Sequence, residues 1–128
     1  MEVKGFLEFI DRRLIKTIFF SWKGLRVAFL GQEAFRCEVL LFLSSLPIAI
    51  WVAQTRLQLM LLVAVGLIVL IIELLNTGIE LVINRIGLEL NELSGQAKDV
   101  GSAAVFLALI LFIMVWVTII LENVRFAG

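Results

Sequence analysis

Two glutamates and an asparagine stand where a membrane-crossing helix ordinarily carries only hydrocarbon. They lie in the stretch Ile72–Arg85, IELLNTGIELVINR. At about 100° per residue, Glu73, Asn76 and Glu80 fall within about 60° of one another on a helix, with Thr77 and Asn84 beside them. An ionisable residue at mid-span costs ~2.5–3.5 kcal/mol on insertion scales, so a segment that only has to span would not keep this stripe. Interhelical hydrogen bonds worth ~0.6–2 kcal/mol are the plain alternative. Two carboxylates around an amide point more strongly to a reacting site.

The two acids divide by depth. Glu73 is set among apolar residues, where desolvation suits a carboxylate to the work of a general base. Glu80 lies about two turns further along, where solvent and cations reach it, and a carboxylate there is a natural Mg²⁺ ligand. A base at the membrane surface beside a metal fits phosphoryl transfer to a hydroxyl held in the bilayer. Beyond come Glu89, Asn91, Glu92 and then SGQAKDVGSAA, Ser94–Ala104. That stretch is expected to be a loop in which Lys98 and the loop amides hold phosphates and Asp99 orders Lys98 or binds metal. No Walker GxxxxGK[ST] is present, so a nucleotide is expected to be held in another way.

The composition says what kind of chain positions these groups. A length of 128 residues fits one domain, 1–128. The apolar fraction of 62% exceeds the ~45–50% of soluble domains. Mean hydropathy is +1.09, more hydrocarbon than a globule of this size can hide from water, so the chain belongs in a bilayer. Eleven basic and eleven acidic residues cancel, which argues against nucleic acid as a partner. The absence of histidine excludes His-based triads and His-ligated zinc. A single cysteine, Cys37, excludes an intrachain disulfide and is expected to be a small packing residue.

Three spans follow from the apolar runs, at about 39–53, 57–83 and 100–121. The first holds the only proline, Pro47; the third is uncharged from Ala103 to Leu121. Before them, in residues 1–36, Phe6, Ile10, Leu14, Ile18, Trp22 and Leu25 recur every three or four positions with basic residues between them. That pattern predicts an amphipathic helix lying in the membrane interface. Trp22, Trp51 and Trp116 are expected near span ends as interfacial anchors. Seven of the eleven Lys and Arg residues precede the first span. The positive-inside rule then puts the N-terminus and the Arg85–Lys98 connection in the cytoplasm and the C-terminus outside. So few spans give a polar stripe little shelter, and self-association is expected.

Four segments carry a resemblance: SWKGLRVAF (Ser21–Phe29), EAFRCE (Glu33–Glu38), IELLNTGIE (Ile72–Glu80) and RIGLELNELSGQAKDVGSAAV (Arg85–Val105). The chain is similar in these, and without an evident gap from about Arg13 to Leu121, to the prokaryotic diacylglycerol kinases. The resemblance implies an all-α integral membrane protein of one surface helix and three transmembrane helices, built as a homotrimeric bundle with sites shared between subunits. It implies ATP- and Mg²⁺-dependent phosphorylation of diacylglycerol to phosphatidic acid at the bacterial inner membrane.

The same resemblance implies residue roles. Glu73 is the catalytic base, at the lipid hydroxyl, and Asn76 supports it. Arg13, Phe20, Glu80, Glu89, Leu90, Asn91, Lys98 and Asp99 fall on nucleotide-binding positions. Ser21, Trp22, Arg26, Glu38, Trp51, Ser102 and Trp116 line the lipid site, with Arg13 at its edge. Glu80 is a metal ligand. Gln32 stands where the family offers a second metal-binding Glu, and a carboxylate follows at Glu33. Phe20 and Asn91 stand in place of Tyr and His, and Asn84 in place of Asp.

Two other readings remain open at this stage. One is a polyprenol kinase acting on undecaprenol, which some relatives phosphorylate. The other is a small proton-coupled transporter or channel subunit, where a lone intramembrane Glu is common. A proton carrier has little use for Glu80, Lys98 and Asp99.

Overall fold

The computed structural model describes residues 3–87 and 89–126, the last by its backbone alone. Four helices follow one another: α1 (Val3–Gly31), α2 (Glu33–Val52), α3 (Arg56–Ile86) and α4 (Glu92–Phe126). Three of them, α2, α3 and α4, are long and apolar enough to cross a membrane. They outrun the apolar segments of the sequence, because a helix continues into polar residues wherever its backbone stays paired. At about 1.5 Å per residue α3 is about 46 Å long, against a hydrocarbon core of about 30 Å. Pro47 sits inside α2 without ending it.

Local signals set the boundaries. Gln32, with extended backbone, separates α1 from α2. The Arg36 guanidinium reaches back over this break and donates to the carbonyls of Phe29 (3.1 Å) and Leu30 (3.2 Å), two acceptors that the end of α1 leaves open. Thr55 caps α3, its Oγ1 accepting from the Gln58 amide at 3.1 Å. Asn91 caps α4, its Oδ1 accepting from the amides of Leu93 (3.0 Å) and Ser94 (3.2 Å).

The start of α4 corrects one expectation. Residues 92–102 are helical, so Lys98 and Asp99 project from a helix rather than a loop. The Asn91 cap starts the helix early, and no neighbouring group crowds Gly95. Beyond the first turn the amides belong to the helix's own hydrogen bonds and do not form a phosphate cradle.

α3 is the centre of the fold, packed along α4 and, less extensively, along α2. Gly66 lets α2 approach: a Cβ there would meet the Phe42 ring at 2.6 Å. Further along the same pair of helices, Phe35 lines a groove with Leu70, Ile71 and Leu74. At the end remote from Glu73, Ala49, Leu62 and Ile119 form a buried cluster covered by Val115 and Trp116. Trp116 is partly buried within α4, with Phe112 at 5.6 Å. Trp51 is 85% exposed and Trp22 is also exposed. Cys37 is exposed rather than packed. α1 is exposed along nearly its whole length, with Ala28 its one buried residue among those described.

Candidate functional site

α3 carries the polar stripe toward the end of the bundle where α1 packs against α2 and α3 and where α4 begins. Glu73 is 5% exposed and Thr77 4%. Asn76 and Glu80 are half-buried. Glu80, on the same helix, and Glu38, from α2, lie within coulombic range of Glu73, and Asn76 is its amide neighbour. Three buried side-chain oxygens here have no hydrogen-bond partner: Glu38 Oε2, Asn76 Oδ1 and Thr77 Oγ1. Orphaned buried acceptors and donors are rare, because each forfeits about 1–3 kcal/mol. Their concentration around one carboxylate marks a place that packing alone does not explain.

α4 closes this site with its smallest residue. Gly101 is buried, and a Cβ on it would collide with Asn76 Oδ1. One turn earlier on α4, the Lys98 Nζ donates to Asn84 Oδ1 at 3.5 Å. Among the described residues no ion pair joins Lys98 to Asp99; both are exposed. A desolvated carboxylate with an amide at its side can take a proton from a hydroxyl. An ammonium group on the facing helix can offset phosphate charge.

The metal positions are less regular. Glu80 is half-buried, Gln32 is half-buried at the α1–α2 break, and Glu33 is exposed in the first turn of α2. Among the described residues no three His, Cys, Asp or Glu side chains converge. That donor set is wrong for an all-protein metal cage. Mg²⁺, by contrast, needs only one or two carboxylates together with substrate phosphates, and the half-buried Glu80 offers one.

The remaining sequence-predicted residues are not gathered into one place by a single chain. Trp22 and Arg26 line an apolar groove of about 620 Å³ between α1, α2 and α3, walled by Phe35, Leu70 and Leu74. Trp116 lines a different groove, between α2 and α4, of about 330 Å³. Trp51 projects from the far end of α2, and Ser21 and Ser102 are exposed. Arg13 and Phe20 share the outer side of α1 with Arg12 and Lys16. Glu89 and Leu90 are exposed in the α3–α4 connection, and Asn91 is occupied as a helix cap. Sequence reasoning missed Gly101 as the contact on Asn76. Its only signal was a glycine two residues before an uninterrupted apolar run.

Comparison with known proteins gives the family. A profile of the prokaryotic diacylglycerol kinase family matches residues 19–120. The diacylglycerol kinase of Escherichia coli (strain K12) is 45% identical over 104 residues, 81% of this chain and 85% of that protein. The diacylglycerol kinase of Haemophilus influenzae is 42% identical over 103 residues, 80% of this chain and 87% of that protein. That of Pseudomonas aeruginosa is 42% identical over 110 residues, 86% of this chain and 89% of that protein. With a buried acid, its amide neighbour and a facing lysine carried on apolar helices, and with four-fifths of its length matched, the chain belongs to the prokaryotic diacylglycerol kinase family.

Proposed function

We propose that this chain is a membrane lipid kinase that moves the γ-phosphoryl group of ATP onto the free hydroxyl of diacylglycerol, giving phosphatidic acid and ADP. Glu73 takes the hydroxyl proton as the lipid oxygen bonds to the γ-phosphorus and the bond to the ADP oxygen breaks. Asn76 orients the Glu73 carboxylate. Lys98 offsets charge on the phosphates, and Asp99, Glu89, Leu90, Asn91, Arg13 and Phe20 contact the nucleotide. Glu80, with Gln32 or Glu33, would hold Mg²⁺, which when bound neutralises phosphate charge. The acyl chains lie in the groove beside Trp22 and Arg26. Glu38, Ser21, Ser102, Trp51 and Trp116 complete the lipid site. The observation that carries the reading is Glu73, nine-tenths buried beside Asn76 and within coulombic range of Glu80.

The working unit is a homotrimer of single-domain chains, 1–128, in the bacterial inner membrane. α1 lies on the cytoplasmic surface and the C-terminus is outside. Two observations support assembly. α1 leaves both its faces exposed in one chain, and the lipid-site residues are divided between grooves on different helices. Neighbouring subunits would bring those groups together, and covering a polar stripe is favoured in lipid. The test is transfer of labelled phosphate from ATP to diacylglycerol, undecaprenol and ceramide in mixed micelles. Diacylglycerol is expected to be the substrate. Undecaprenol as the better acceptor would make the chain a polyprenol kinase, and no transfer to any of the three would return it to the transporter class.

A further inference from the structure

The end of the bundle away from Glu73 carries a polar arrangement that no catalytic reading uses. Asn123, near the end of α4, is 9% exposed. Its Nδ2 donates to the Val52 carbonyl at 2.7 Å and to Gln58 Oε1 at 3.1 Å. Its Oδ1 accepts from Gln58 Nε2, also at 3.1 Å. Gln58 Oε1 accepts in turn from the Gln54 amide at 2.9 Å. One reciprocal amide pair thus joins α3 to α4, and the Asn123 amide also closes the last turn of α2. It sits immediately beyond the Ala49–Leu62–Ile119 cluster.

α4 needs such a device. Its run from Ala103 to Leu121 has no charge, and exposed and half-buried positions along it are alike apolar except for Thr118, whose hydroxyl donates to the Met114 carbonyl of its own helix at 2.7 Å. In lipid no hydrophobic force distinguishes one apolar face or one depth from another. A one-turn slide of α4 along α3, about 5.4 Å, leaves hydrocarbon against hydrocarbon. The slide would, however, separate the Gln58–Asn123 amides and strand the buried Asn123, while the half-buried Gln58, which also donates to Glu122 at 3.3 Å, would lose its reciprocal partner. A buried polar residue sets register in the same way in coiled coils. At the other end a slide would carry Gly101 off Asn76 and Lys98 off Asn84.

We infer that Gln58 and Asn123 are positioning residues: their amide pair sets the register of α4 on α3 and so holds Gly101 against Asn76 and Lys98 beside Asn84. The stretch of α4 from Gly101 to Asn123 is a rod of about 33 Å, long enough to transmit an error at one end to the other. For catalysis the inference rests on the lipid kinase reading. For register it stands alone.

The deciding variant is Gln58→Leu/Asn123→Leu. Replacing both amides by apolar groups of similar size strands neither side chain, and the Val52 carbonyl and Gln54 amide that they release lie at helix ends, so a merely structural pair would leave a folded and active protein, if a somewhat less stable one. Spin labels at Val82 and Phe106, both exposed, report the α3–α4 register in a Cys37→Ser background, with labelled chains diluted into unlabelled ones. The double variant is expected to stay folded and to broaden the distance distribution or shift it by about 5 Å, one helical turn. It is expected to lose about 10- to 100-fold in kcat, since misplacements near 1 Å cost that much, while KM for ATP and lipid changes little. If the double variant does not fold, Gln58→Leu alone is measured in the same way. An unchanged distance distribution in a folded variant overturns the inference. A shifted distribution with unchanged kcat confines the pair to structure and overturns the positioning role. If the wild-type chain phosphorylates no lipid, the kinase reading fails, and the spin-label distances still decide the register.

Discussion

Gly101 on α4 rests directly on the side-chain oxygen of Asn76 on α3. The buried Asn76 Oδ1 has no hydrogen-bond partner there. A carbonyl oxygen is thus walled in by a neighbouring backbone one turn from the buried Glu73, and only a glycine leaves room for it. Gly101→Ala must displace Asn76 or separate α3 from α4, whereas Gly95→Ala, six residues earlier, meets nothing within 4 Å. Gly95→Ala is expected to keep full activity and gain up to about 1 kcal/mol of stability from helix propensity. Gly101→Ala is expected to lose at least about tenfold in kcat, as misplaced catalytic groups do. Paired assays and thermal melts check this, and equal behaviour of the two variants would show that the contact does not matter.

Glu73→Gln keeps the shape of the side chain and removes its basicity. General-base catalysis contributes ~10²–10⁴-fold, so turnover is expected to fall by that order while KM for ATP and lipid holds. Retention of more than about a tenth of wild-type turnover would remove Glu73 from the base role.

Shared sites predict rescue between inactive chains. Glu73 and Lys98 lie on adjoining helices of one chain, whereas Arg13 stands on the exposed α1, and a trimer that brings α1 of one subunit to α3 and α4 of another can assemble an intact site from two defective partners. Co-reconstitution of Glu73→Gln chains with Arg13→Ala chains is expected to restore a measurable fraction of activity. No rescue, together with a monomeric mass in detergent, would count against a composite site.

The second metal position separates two neighbours. On one continuous helix, consecutive side chains diverge by about 100°, but Gln32 lies outside both helices, in extended backbone after Gly31. The break removes the rigid-helix objection to Glu33. Charge then decides, because Mg²⁺ prefers carboxylates. Glu33→Gln is expected to raise the Mg²⁺ concentration for half-maximal rate sharply, and Gln32→Ala to change it little. The opposite pattern would assign the position to Gln32 and leave Glu33 as a solvated charge.

Much of this protein is legible one residue at a time. The apolar runs and the absence of histidine specify a membrane helix protein with no His-based chemistry. The spacing of Glu73, Asn76 and Glu80 places them on one helical face, since helix geometry is local and every segment carries its own period. Segments such as IELLNTGIE and SGQAKDVGSAA point to the family for a similar reason: each is a contiguous run on one helix and can be read without its neighbours.

Boundaries were harder to read. Hydropathy marks where hydrocarbon ends, not where backbone pairing ends, so α3 and α4 extend beyond their apolar runs and the stretch around Lys98 is helical. The Asn91 cap decides that start, and a lone asparagine before a glycine-containing segment reads equally well as a turn.

Only tertiary structure reveals partners. Gln58 and Asn123 are 65 positions apart, and each alone looks like an ordinary polar residue at a helix end. Gly101 looks like a helix weakness until Asn76 is seen beneath it, and nothing along the chain tells that Trp116 packs against the Ala49–Leu62–Ile119 cluster. Apolar helices in lipid carry no sequence period that says which neighbour they face or at what depth. The amino acids therefore determine that the chain spans a membrane and which face of α3 is polar. The packing of α3 against α2 and α4 decides that Glu73 is buried and Asn76 enclosed, because a register between helices depends on both at once.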